Sequence, residues 1–165
     1  IIAFLILFQF NLFTIILGMS SMLLAFSYPF MKRITYWPQL FLGITFNWGI
    51  IMAWAAMNGS LRVEIIILYI SAIFWTLGYD TIYGFQDIKD DEIIGLKSTS
   101  IKFKSNPYFF LKLCYSIFIA CLIIIGLLIK LNPIYFLFLI ILKKIYHFEK
   151  RKVVIINVNV VHKHL

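Results

Sequence analysis

The sequence predicts an all-α integral membrane protein, a multi-helix transmembrane bundle, and three observations predict it. Of its 165 residues, 62% are hydrophobic and only 13% are charged, and the mean hydropathy is +0.95, outside the range of soluble globular chains. The apolar residues fall into runs approaching the roughly 20 residues that a bilayer-spanning helix needs. The basic residues lie between these runs, with a strong bias to one side.

Ile1 to Phe8 reads as the end of a helix whose start lies upstream. It has no initiator Met, and it lacks the basic leader and small-residue cleavage site of a signal peptide. Gln9 and Asn11 mark a tight turn. Leu12 to Met31, Pro38 to Met57, Glu64 to Tyr83 and Pro107 to Ile129 then read as full spans, and Pro133 to Leu142 as a run of about half the spanning length. Pro29, Pro38, Pro107 and Pro133 stand at or near the proposed helix ends, where a missing N–H costs least. Two regions result: residues 1–142 as a partial transmembrane domain and 143–165 as a divergent basic tail with the look of a shifted reading frame.

Threading these spans alternately puts Lys32, Arg33, Lys89, Lys97, Lys102, Lys104 and the basic residues after Leu142 on one face, leaving Arg62 and Lys130 on the other. By the positive-inside rule the first face is cytoplasmic. The net charge of +8 is therefore a topology signal. Nucleic acid is not an expected partner, because the basic residues flank spans and form no stripe with exposed aromatics. Cys114 and Cys121 share one span at a spacing of seven, which suits apolar packing. Asn58-Gly59-Ser60 reads as a turn.

Residues 79–100 hold five of the seven acidic side chains. Asp80, Tyr83, Asp87 and Asp91 are three, four and four apart, so a helix running through them carries them on one face. Asp80 lies inside the span, where a carboxylate is costly unless paired, hydrated or bound to a cation. Neighbouring carboxylates repel, and a divalent cation reverses that penalty. Oxygen ligands without His or Cys suit a hard ion such as Mg2+, which completes its shell with water and substrate phosphate. Two other readings stay open: a solvated loop wetted by Asp90, Asp91 and Glu92, and a cation relay in a transporter. No pair of broken midplane helices of the transporter kind is visible in the sequence.

On the same face, Tyr28 and Lys32 are four apart within Tyr28-Pro29-Phe30-Met31-Lys32-Arg33. They offer a hydroxyl and an ammonium at the level of the acidic row. Lys32 and Arg33 suit a phosphate. Taken with the acids, they describe a diphosphate held between Mg2+ and cations at the mouth of an apolar bundle.

Three stretches, YPFMKR, PQLFLGITFNWGIIMAWAA and YDTIYGFQDIKDDEIIGLKST, resemble in order and spacing the later segments of the UbiA superfamily of intramembrane aromatic prenyltransferases. The likeness runs from about Phe10 to about Leu131 and is greatest for the branch that prenylates 4-hydroxybenzoate in ubiquinone biosynthesis. The resemblance implies a helical bundle around a cavity open to lipid, and two Asp-rich motifs that bind Mg2+ and a polyprenyl diphosphate. It makes Asp87 and Asp91 paired metal ligands, with Asp80 and Asp90 as supporting acids. It makes Lys32 and, with them, Arg33, Tyr28 and Lys97 contacts of the diphosphate. Phe46, Trp48, Trp75 and Tyr79 are candidates to shield a prenyl cation.

The expected reaction is transfer of the prenyl group to the ring carbon ortho to the 4-hydroxybenzoate hydroxyl. The first motif, of the form N-D-x-x-D-x-x-x-D, is not in this sequence, so the chain alone is expected to be inactive. The alternatives are a non-enzymatic membrane protein, either a transporter subunit or a decayed remnant, and a superfamily enzyme with another acceptor. A bacterial inner membrane is the expected location, ahead of the mitochondrial inner membrane.

Overall fold

In the computed structural model the described residues are 2–142; the tail at 143–165 lies outside them. A short helix α1 (Ile2–Leu7) turns into α2 (Leu12–Ile34), followed by α3 (Pro38–Phe46), α4 (Trp48–Asn58), α5 (Val63–Gly84), α6 (Ile88–Ile93), α7 (Thr99–Lys102) and α8 (Pro107–Leu128). A further apolar helix, α9, covers Pro133–Leu142. No strand occurs among the described residues. Four stretches are long and apolar enough to span a bilayer: Leu12–Ile34, Pro38–Asn58, Val63–Gly84 and Pro107–Leu128. At about 1.5 Å per residue each covers roughly 30 Å.

The expected spans are present, with three differences. Pro29 does not stand near the end of α2, which continues for another turn to Ile34. The proline removes only the donor to the Ala25 carbonyl, and the helix tolerates that loss. Lys32 and Arg33 thereby become the last turn of a helix, where cations suit the exposed carbonyls.

The second difference is a break at Asn47 inside the span Pro38–Asn58. Its Nδ2 donates to the Gly43 carbonyl at 2.8 Å, the Thr76 hydroxyl at 2.8 Å and the Ala72 carbonyl at 3.2 Å. The interruption is thus tied to α5 by polar contacts within protein, as non-helical backbone at membrane depth must be. The third difference concerns the acidic row. Asp80, Tyr83, Asp87 and Asp91 do not share one continuous helix, because α5 stops at Gly84 and α6 starts at Ile88.

Helix α5 is central, packing chiefly on α8 and α3 and also on α4 and α7. Ile51, Tyr69 and Ile73 form one buried cluster; Leu77, Phe110 and Cys114 form a second, flanked by Trp37 and Phe103. The Phe103 and Phe110 rings stack at 4.1 Å, with Trp37 edge-on to both. Polar side chains add interhelical ties of the kind membrane bundles use. Asn11 caps α2 through Thr14 and donates to the Ala55 carbonyl at 2.8 Å, and Tyr69 donates to the Ile44 carbonyl at 2.8 Å. Neither Cys114 nor Cys121 forms a disulfide among the described residues, and Cys114 is buried in the α5–α8 seam.

The α5–α8 approach depends on Gly78, where an added Cβ would lie 2.9 Å from the Tyr115 ring. Gly78→Val is expected to destabilise the bundle by about 1–3 kcal/mol. Gly49→Ala, at a helical glycine with nothing within 4 Å, should be neutral or stabilise by up to about 1 kcal/mol. Unfolding of both variants in detergent micelles checks this, and equal stability would contradict the close packing.

Candidate functional site

Two chain segments far apart in sequence meet at the end of the bundle where α2 and α5 finish. A cavity of about 100 Å³ is lined by Tyr28 and Lys32 from α2, Pro38 and Gln39 from the start of α3, Asp80, Tyr83 and Gly84 from α5, Asp87 at the N-cap of α6, and Asp91 within α6. That volume has room for several water-sized groups. The one-face arrangement expected for the acids is reached by a bend, since the turn between α5 and α6 swings Asp87 and Asp91 back to the level of Asp80. In α6 the Asp87 carbonyl accepts the Asp91 N–H at 2.9 Å, while the Asp87 side chain makes no capping bond. Its carboxylate is therefore left for the cavity.

The segment after α6 holds the bend in place. Gly95, in the left-handed region at φ 73°, turns the chain so that the Lys97 N–H donates to the Lys32 carbonyl at 2.8 Å. Ser98, Thr99 and Ser100 are then almost completely buried. The Thr81 hydroxyl donates to the Leu77 carbonyl at 2.7 Å, so the 2.6 Å contact between the Thr81 and Thr99 hydroxyls has Thr99 as donor. Ser100 Oγ donates to the Thr81 carbonyl at 2.8 Å. The Thr99 N–H donates to Gln39 Oε1 at 3.0 Å, which joins the latch to α3. Gly84 permits this approach, because a Cβ there would collide with the Ser100 hydroxyl.

Of the residues singled out from the sequence, the cavity gathers Tyr28, Lys32, Asp80, Tyr83, Asp87 and Asp91. Arg33, Asp90 and Lys97 are not among its lining residues. Lys97 directs its Nζ to the Ile34 carbonyl at 3.2 Å and lies 5.6 Å from the Tyr36 ring centre, serving the end of α2. Asp90 sits on α6 and its carbonyl accepts the Ile94 N–H. Among the aromatic candidates, Tyr79 packs tilted against the lining residue Tyr83, ring centres 4.7 Å apart. Trp48 instead donates its indole N–H to the Leu17 carbonyl at 3.0 Å, Trp75 packs on Tyr115 and Phe118, and Phe46 is exposed. Gln39 and Gly84 were not singled out. The one signal for Gln39 is a polar side chain right after a helix-starting proline, at the same membrane face as the acids.

Three carboxylates against one ammonium leave the cavity negative. Among the described residues no three His, Cys, Asp or Glu side chains stand close enough to cage a metal ion. Asp87 and Asp91 could contribute one or two carboxylate oxygens to a hard cation, with its remaining ligands supplied from elsewhere.

This chain belongs to the UbiA prenyltransferase family, which matches its residues 1–155. Among its relatives is the Arabidopsis thaliana protein named 4-hydroxybenzoate polyprenyltransferase, mitochondrial, 53% identical over 102 residues, or 61% of this chain and 25% of the relative. The proteins of the same name from Bos taurus and Homo sapiens are 56% and 54% identical, each over 97 residues, or 58% of this chain and 26% of theirs. The chain spans about a quarter of the length of these relatives. No solved structure matches it.

The latch makes a direct prediction. Thr81→Val leaves the Thr99 hydroxyl without its acceptor, at an expected cost of about 1–3 kcal/mol, and frees the 97–102 segment. Trypsin should then cut faster at Lys97 or Lys102 than in the unmodified chain; equal rates would contradict a latch that holds the bend.

Proposed function

We propose that this chain supplies the diphosphate- and metal-binding part of an enzyme that transfers a polyprenyl group to 4-hydroxybenzoate in ubiquinone biosynthesis. What carries the reading is the convergence of Tyr28, Lys32, Asp80, Asp87 and Asp91 from separate segments on one cavity at the end of an apolar bundle. The names of the relatives supply the acceptor. Because the chain covers only a quarter of those relatives, the activity is assigned to a polypeptide of their length, and this chain by itself is expected to show none.

A negatively lined cavity does not take up a diphosphate unaided. Asp87 and Asp91 would hold Mg2+, which when bound neutralises charge on the diphosphate and stabilises its departure. Asp80 adds a third carboxylate to the field that draws the cation in. Lys32 places an ammonium on the diphosphate oxygens, and Tyr28, on the same face of α2, offers a hydroxyl donor. The allylic C–O bond breaks with its electron pair leaving on the diphosphate, where preorganised cations count most because the charge grows there. The ring carbon ortho to the acceptor hydroxyl bonds to the prenyl carbon, and the ring then loses its proton. Tyr83, which lines the cavity, and Tyr79, tilted against it, are the aromatic rings nearest to where a cationic carbon would form.

The relatives' names carry a mitochondrial location. They favour the mitochondrial inner membrane over the bacterial inner membrane expected from the sequence, with the cavity on the basic side of the bundle.

A full-length chimera tests the reading, with this chain replacing the matching segment of the human relative. Asp87→Asn and Asp91→Asn should each lower prenyl transfer about 100-fold or more, and Lys32→Ala by about 10- to 100-fold, with membrane insertion unchanged. Activity that survives all three substitutions rejects the site.

A further inference from the structure

Gln39 is 5% exposed and lines the cavity. Its two amide ends have different surroundings. The Thr99 N–H points at Oε1 from 3.0 Å, which fixes the amide orientation, since the nitrogen cannot accept that bond. Nε2 lies beside Gly84, another lining residue, at 3.4 Å from where a Cβ would be. Among the described residues Nε2 has no hydrogen-bond partner. The atom is not among the fully buried ones, so an otherwise buried side chain opens its amide donor onto the cavity, where water or a ligand oxygen can accept from it. The lining carboxylates and tyrosine hydroxyls are possible acceptors, but none of them accepts from Nε2 in this geometry, and Lys32 only donates. A bound oxyanion between them supplies an acceptor.

We propose that Gln39 is a further binding residue of this cavity, its Nε2 donating a hydrogen bond to an oxygen of the diphosphate. The inference rests on the diphosphate reading above and adds to it a neutral donor. Unlike Lys32, that donor gains nothing from the carboxylate field and is aimed by the latch. The same side chain thus reports on both parts, with Oε1 on the Thr99 loop and Nε2 on the ligand.

The chain contains three glutamines, Gln9, Gln39 and Gln86, so side-chain 15N labelling gives three amide pairs. The experiment titrates the chain in lipid nanodiscs with inorganic pyrophosphate and Mg2+, following the amide pairs by NMR and binding by calorimetry. The pair missing in Gln39→Glu identifies Gln39, and it should shift as pyrophosphate saturates. Gln39→Glu keeps the side-chain length and the oxygen that Thr99 needs but replaces the donor, and it should weaken pyrophosphate binding about tenfold or more, with trypsin resistance at Lys97 and Lys102 retained. A Gln39 pair that stays in place while calorimetry records binding overturns the proposal and leaves the diphosphate reading standing. So does unchanged affinity in Gln39→Glu. Absence of pyrophosphate binding overturns both.

Discussion

The site depends on a buried polar contact at the end of α5, where Thr81 accepts from Thr99 and Ser100 donates to the Thr81 carbonyl. Without it, the chain leaving α6 has no reason to fold back over Gly84, and Asp87 and Asp91 have no fixed relation to Lys32. The contact is strong for a physical reason. Thr81, Thr99 and Ser100 are each 0% exposed, so losing one partner leaves a desolvated group with no water to replace it. Glycine at 84 is part of the same construction, since any side chain there would occupy the place of the Ser100 hydroxyl.

The placement of charge follows from the membrane. Carboxylates are expensive at depth, and here Asp80 stands one turn from the end of α5 and Asp87 and Asp91 beyond it, lining one cavity with Lys32 from the last turn of α2. The cavity is therefore at the boundary, with apolar helices on one side and the basic face of the bundle on the other. A substrate with a charged head and a long apolar tail meets both environments at once. Under the proposed function, an excess of carboxylate over ammonium would make binding of a diphosphate head depend on a cation, coupling metal and diphosphate through electrostatics.

Much of this was legible in the sequence, and what was not has identifiable causes. The spans follow from hydropathy because a bilayer tolerates few alternatives to a long apolar helix. The grouping of Tyr28 with Lys32 follows from a spacing of four, and that of Asp80, Asp87 and Asp91 from spacings of seven and four. The break between α5 and α6 was missed because residues 80–91 keep helical spacing across it; the turn preserves the face while ending the helix. Asn47 stands as a single polar residue within an apolar run of the sequence, and its donors reach α5, a tertiary fact that no local pattern carries. The burial of Ser98, Thr99 and Ser100 was missed for a related reason. A short polar stretch beside lysines looks solvated, and only Gly84 and Thr81 across the gap make it a core. Gln39 escaped notice because its importance lies in its partner sixty residues away.

The most direct test of the central claim, that the ends of α2 and α5–α6 form one metal and diphosphate site, is a structure of the full-length protein with Mn2+ and a non-hydrolysable polyprenyl diphosphate analogue. Anomalous scattering would locate the metal. The account predicts a Mn2+ peak beside the Asp87 and Asp91 carboxylates, with the diphosphate between that metal and Lys32. Metal and diphosphate bound elsewhere, with Asp87, Asp91 and Lys32 facing only solvent, would contradict it.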